Sequence, residues 1–169
     1  MKKTIAFLMI IAIVVLILFI VFLLLKQYEE KASIRQLPDI KVMTIDSSII
    51  RLNTLQTNMP MMICYFHPEC EFCAIEIEEL INHKSKFENV QMIFVSFASI
   101  NEIKKYLETY KIDSFKHVLI ANDYKGDLVS KLNIKAPPTC FIYDKSLNLK
   151  RKIKGLTSVN ELIKHIPHE

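Results

Sequence analysis

Two thiols stand three positions apart in Cys70-Glu71-Phe72-Cys73, a spacing that can close a small disulfide ring with little backbone movement and makes the pair capable of redox chemistry. Downstream, Cys73, Ile77, Leu80 and Ile81 recur at intervals of three and four, which predicts a helix from Cys70 to about His83. Cys70 then sits at the mouth of that helix, where unpaired backbone N–H groups and the positive dipole end stabilise a thiolate, the form that attacks disulfides. Cys73, one turn inside, is shielded and suited to resolving a mixed disulfide. The same pair fits two other roles. Half of a zinc or copper site is one, although zinc needs a second Cys or His pair at motif spacing and His117, His165 and His168 are scattered. A purely structural disulfide in a non-enzymatic interaction domain is the other. His67, just ahead of the motif, offers proton transfer or a metal ligand, but an exposed loop imidazole is the commoner outcome.

The elements that must hold this pair follow from the flanking residues. Met61-Met62-Ile63-Cys64-Tyr65-Phe66 is a continuous apolar run of six, the pattern of a strand buried on both faces, and it stops at His67-Pro68. Strand, turn and helix therefore follow one another across the thiols. Ile40 to Leu52 reads as a hairpin around Asp46-Ser47-Ser48, Val90 to Ser96 as a strand, Ile100 to Tyr110 as a helix, and Val118 to Ala121 as a strand. A short helix at Leu128 to Leu132, strands at Thr139 to Tyr143 and Leu147 to Ile153, and a helix from Val159 to Ile166 complete the order. Alternation of this kind predicts a layered α/β domain around a largely buried sheet. Ala136-Pro137-Pro138-Thr139 marks the entry to the Thr139 strand; by itself it reads as two loop prolines ending a short helix. The basic run Lys150, Arg151, Lys152 and Lys154 fits a solvated edge strand, where lysines discourage pairing with other chains.

Ile5 to Leu25 is an unbroken apolar run, long enough as a helix to cross a bilayer of about 30 Å. Residues 1–25 are read as an uncleaved N-terminal membrane anchor, since no small-x-small cleavage site follows Leu25. Lys2 and Lys3 at its short end place that end in the cytoplasm and the rest of the chain on the extracytoplasmic, periplasmic side, where disulfides persist. Residues 26–37, polar and mixed in charge, are read as a tether, and residues 38–169 as one domain. Of 22 Lys and Arg side chains only Lys2 and Lys3 precede residue 26, leaving 20 basic against 18 acidic groups, too even a balance for a nucleic-acid partner. Two glycines and six prolines exclude collagen-like or low-complexity chains.

Phe66-His67-Pro68-Glu69-Cys70-Glu71-Phe72-Cys73 and Pro138-Thr139-Cys140-Phe141-Ile142-Tyr143-Asp144 together resemble the two signature segments of the thioredoxin superfamily, in particular the membrane-tethered TlpA and ResA type of thiol-disulfide oxidoreductase. The resemblance spans roughly residues 37–166. It implies a thioredoxin-like fold, a redox-active Cys70–Cys73 disulfide with no other cofactor, a cis Pro138 beside Cys70, and the segment between Ile100 and Ala121 as that branch's insertion. The residue before the cis proline offers its backbone to a substrate peptide in this family; here it is Pro137, which keeps its carbonyl but has no N–H. Glu76 falls where ResA-like proteins carry a glutamate that tunes the thiols; the alternative is a solvated first-turn acid. Cys64 takes the place of the buried acid of thioredoxin itself, and Cys140 should lie on the neighbouring strand. The two are read as buried free thiols acting as small apolar residues, with a second disulfide or a thiol relay as the alternative. With Glu71 and Glu76 both opposing a thiolate, the resemblance implies a reductant of exported protein disulfides, apocytochrome c among them, recharged by a membrane electron donor.

Overall fold

The computed structural model describes residues 2–55 and 58–167, with side chains from residue 9 to 26 and from 34 onward. His168 and Glu169, the expected end of the domain, lie outside the described residues. The chain divides into two units, Met1–Ser33 and Ile34–Glu169.

The first unit is one helix, α1 (Lys2–Ser33). Its Met9–Lys26 segment has a mean hydropathy of 3.3 and is long and apolar enough to cross a membrane. Large apolar side chains stand exposed all around the described part of this segment. The helix also runs through residues 26–33, which the sequence reading assigns to a tether. Glu, Lys, Gln and Ala dominate there without Gly or Pro, so helix propensity continues after the apolar run has ended.

The second unit begins at Ile34 rather than Pro38, because Ile34 and Leu37 are buried in its core. Among the described residues seven strands form one sheet: β1 (Lys41–Thr44), β2 (Ile49–Arg51), β3 (Met61–Tyr65), β4 (Gln91–Ser96), β5 (Val118–Asn122), β6 (Thr139–Tyr143) and β7 (Leu149–Lys154). Their order is β2-β1-β5-β4-β3-β6-β7. The β3, β4 and β5 strands are parallel; β1 joins β5, and β6 joins β3, in antiparallel pairs. The helices are α2 (Glu71–Asn82), α3 (Ile100–Tyr110), α4 (Asp127–Lys131) and α5 (Val159–Ile163). The expected α5 runs to Ile166; the helix stops at Ile163, beyond which His165 N–H and Ile166 N–H donate to Leu162 O and Ile163 O in tighter turns, as Pro167 disfavours helix in the residue before it.

The central strands are apolar at every position because both faces are covered. Met62, Cys64, Phe66, Met92, Phe94, Cys140 and Ile142 pack into one buried cluster with Cys73, Ile77 and Leu80 of α2, Ile103 and Leu107 of α3 and Leu162 of α5. The alternate residues Met61, Ile63, Tyr65, Ile93, Val95, Phe141 and Tyr143 pack into a second cluster with Leu128 of α4 and the Ile34–Ile40 segment. A period of two thus divides each strand between two cores. β7, with Lys150, Arg151 and Lys154 exposed, lies at the sheet edge as its charges predict.

Gly126, at φ 70°, turns the chain into α4 but has no side chain to cap it. Asp123, buried at the end of β5, takes that role: its carboxylate accepts from Leu128 N at 3.0 Å and Val129 N at 3.1 Å. We expect Asp123→Ala to leave both amides unpaired and to cost about 2–3 kcal/mol, read as a lower urea midpoint at unchanged slope for the full chain in non-ionic detergent.

Candidate active site

The parallel pair β3 and β4 ends where α2 begins, so the segment leaving β3 is carried over the sheet edge at the start of that helix. Phe66 remains tied to the sheet, its N–H donating to Val95 O at 3.0 Å and its ring stacked on Tyr106 of α3 at 5.2 Å between centroids. His67 to Cys70 forms a tight turn closed by Cys70 N–H donating to His67 O at 3.0 Å. Cys70 is the N-cap of α2. Its Sγ accepts from Cys73 N at 3.2 Å, and its carbonyl from Cys73 N and Ala74 N at 3.0 and 3.1 Å. Sulfur at this position caps the first turn at the positive end of the helix, the environment that favours negative charge. Cys70 and Cys73 are joined by a disulfide with their Cα atoms 5.2 Å apart. The two sulfurs differ in access: Cys70 is half-buried, whereas Cys73 is 1% exposed.

Pro138 arrives from the other side. Tyr65 pairs with Thr139 across β3 and β6, so Pro138 lies at the end of β6 next to the segment that carries residues 66–70. The Pro137–Pro138 peptide is cis, and Pro138 is buried. Thr139 Oγ1 donates to Ala136 O at 2.7 Å, closing the loop on itself. The Pro138 carbonyl is occupied by Gly155 N–H at 2.9 Å, where the chain turns at φ 77°, a conformation glycine adopts without strain. Pro137 is half-buried.

A small polar cluster lies inside the apolar core. Glu76 is 3% exposed, not the solvated acid of the alternative reading. One turn past Cys73 on the inward face of α2, its Oε2 accepts from Cys140 Sγ at 3.4 Å. Cys140 Sγ in turn lies 3.6 Å from Cys64 Sγ, the two residues being direct partners across β3 and β6. Burial raises the Glu76 carboxyl to about 7; the Cys140 thiol and the Thr157 backbone pull it down, though no hydrogen bond of full geometry reaches Oε1. The Cys140 thiol is pushed well up, first by its contact with Cys64 and then by burial and the nearby carboxylate. Cys64 and Cys140 are free thiols.

Two surface features near the thiols were not among the residues singled out from sequence. Phe97 follows β4 and is 56% exposed, its ring 4.6 Å from that of His67. Leu156, 43% exposed, follows the Gly155 that bonds Pro138. With Phe72, 61% exposed between the cysteines, they are large apolar side chains left exposed on the segments that flank the site. Neither has a periodic signature; only exposure in the folded state distinguishes them. His67 Nδ1 accepts from Glu69 N at 3.2 Å. Among the described residues no three His, Cys, Asp or Glu side chains are grouped to hold a metal ion.

Residues 34–152 match the AhpC/TSA family. A 123-residue stretch is 22% identical to an uncharacterized protein of Haemophilus influenzae, covering 70% of this chain and 78% of that one. Among solved structures, a secreted Mycobacterium tuberculosis disulfide oxidoreductase homologous to E. coli DsbE superposes with a TM-score of 0.63 at 15% identity, over 75% of this chain and 93% of the other. StoA from Bacillus subtilis superposes with a TM-score of 0.60, also at 15% identity, over 76% and 96%. At such identities the likeness is one of fold.

A carboxyl held near 7 in the fold, against 4.5 when free, binds its proton more tightly folded than unfolded. Its contribution is therefore largest at acid pH and is lost as pH rises from about 4.5 to 7, a fall on the order of 3 kcal/mol, levelling above that. We expect thermal melts of the full chain in detergent to show this decline and Glu76→Gln to flatten it.

Proposed function

Because the chain belongs to the AhpC/TSA family, a redox-active group of thioredoxin-like proteins, we propose that it exchanges disulfides with thiol-bearing protein substrates through Cys70 and Cys73 on the extracytoplasmic side of a membrane. The observation that carries this reading is the asymmetry of the pair. Cys70 sits half-buried as the N-cap of α2, and Cys73 is buried one turn behind it. Cys70 thiolate attacks one sulfur of a substrate disulfide, the other substrate sulfur leaves, and a mixed disulfide forms. Cys73 then attacks Cys70 Sγ, releasing the reduced substrate and closing the Cys70–Cys73 bond. Two electrons and two protons pass to the substrate, and a membrane electron donor must return them. Apocytochrome c is one exported substrate class that fits.

Each neighbouring group has a place in this cycle. In this reading Glu76, buried one turn past Cys73 with a carboxyl near 7, takes and returns a proton as Cys73 becomes the nucleophile. Pro138 enters β6 beside the segment that leads from β3 into α2, and the half-buried Pro137 offers an extended substrate its carbonyl alone. Exposed Phe72, Phe97 and Leu156 give an unfolded or extended polypeptide apolar surface to land on. Glu71 and Glu76, both acidic and near the pair, favour the reducing direction by opposing a stable thiolate. The apolar span of α1 anchors the domain, and Lys2 and Lys3 on its short side support an outward-facing domain.

The test is a titration of the full chain in detergent against glutathione and dithiothreitol buffers, with alkylated cysteines counted by mass. We expect a reversible two-electron step at Cys70 and Cys73 between about −120 and −270 mV. Resistance to reduction below about −300 mV makes the bond structural and ends the exchange reading. Cys73→Ser should trap substrates as mixed disulfides on Cys70, while Cys70→Ser should trap none. In spheroplasts, protease added from outside should degrade the Ile34–Glu169 unit; protection places it in the cytoplasm.

A further inference from the structure

Cys64 and Cys140 take no part in the cycle above, yet their placement is that of a pair. They oppose each other directly across antiparallel β3 and β6. Directly opposed residues have Cα atoms about 4.5–5.5 Å apart, inside the range a disulfide bridges, about 4.4–6.8 Å. Their sulfurs are 3.6 Å apart, in contact and short of a bond. Two thiols used only as small apolar fillers would not need a carboxylate beside them; Glu76 Oε2 stands 3.4 Å from Cys140 Sγ. Burying an acid in an apolar core is costly, and its other oxygen lacks a full hydrogen bond. The same carboxylate projects from the helix face that carries Cys73, three residues earlier, and Cys73, Cys64 and Cys140 share one buried cluster.

We propose that Cys64 and Cys140 form a second, internal dithiol–disulfide couple that exchanges with Cys70–Cys73 through Cys73. The proposal rests on exchange chemistry at the outer pair, whichever direction that pair prefers. In the forward sense the Cys140 proton passes to Glu76, and Cys140 thiolate attacks Cys73 Sγ. The Cys70–Cys73 bond breaks and Cys70 leaves. Cys64 then attacks Cys140 Sγ, the Cys73–Cys140 bond breaks and Cys73 leaves. One S–S bond is lost outside and one is gained inside. Two electrons move to the outer pair, and the two protons given up inside end on Cys70 and Cys73. The oxidant is thus the chain's own outer disulfide, itself re-formed by a substrate disulfide. The domain would hold four reducing equivalents instead of two, and could reduce a second substrate disulfide before being recharged.

The full chain in detergent, fully reduced without oxygen, is incubated with excess glutathione disulfide. It is then acid-quenched, denatured, alkylated and peptide-mapped. We expect two thiols, Cys70 and Cys73, to be lost first and all four eventually, with a Cys64–Cys140 cross-link mapped. Cys70→Ser/Cys73→Ser keeps an oxygen at the helix cap, and in it Cys64 and Cys140 should oxidise at least tenfold more slowly. Arrest of the natural chain at two lost thiols, with Cys64 and Cys140 both alkylated, overturns the internal couple and leaves exchange at the outer pair standing. Equally fast oxidation of Cys64 and Cys140 in the double variant overturns their coupling to it. Failure of Cys70 and Cys73 to exchange at all, seen in the first phase, overturns both readings.

Discussion

The pairing of β3 with β6 is the constraint on which the site depends. Its register sets Tyr65 opposite Thr139 and Cys64 opposite Cys140. One ladder therefore delivers Pro138 to the segment entering α2 and lays two thiols together beneath it. A slip of β6 by one residue against β3 would turn Cys140 to the face opposite Cys64 and swap the β6 side chains between the two cores. The register is held because both faces of both strands are buried, so that no shifted alignment preserves the packing. Gly155 reinforces it from the far side by bonding the Pro138 carbonyl.

Above that ladder the charge logic of the site is a balance between a helix end and a buried acid. The first turn of α2 presents amides to Cys70 Sγ and so stabilises negative charge at the half-exposed sulfur. Glu76, on the inner face of the same helix, meets the opposite environment: an apolar core that holds its proton to about 7. Desolvation exceeds the lowering contributed by Cys140 and by Thr157 because neither is charged in the neutral range. Positive potential outside and a proton reservoir inside are what a dithiol pair with one attacking and one resolving member needs. The acid also gives the core a polar seam running from α2 to β6 and β3 through Cys140 and Cys64.

Access is graded in the same direction. Phe72, Phe97 and Leu156 are exposed, Cys70 half-buried, and Cys73, Glu76, Cys140 and Cys64 enclosed. A bulky polypeptide disulfide can meet only the outermost sulfur. Reactions of the inner groups with such a partner need local opening or a carrier thiol of this chain, so the order of the thiols along this axis matters more than their number.

The sequence by itself determined the elements and the first actors. The apolar run Met61–Phe66, the thiols at a helix start and the three-and-four spacing through Ile81 are local patterns, and local patterns set strands, caps and helix faces. Ile5–Leu25 announced its helix by length alone. Other properties belong to the tertiary structure. The spacing of Glu76 is as compatible with solvent as with a core; only closure of the sheet beneath α2 buries it and raises its carboxyl. Cys64 and Cys140 are 76 residues apart, and no local periodicity encodes their contact, which is made by strand order. The boundary at Ser33 and Ile34, set where polar helix propensity meets the first buried side chains, and the exposed residues Phe97 and Leu156, defined by what they fail to bury, were likewise decided only when the chain had folded.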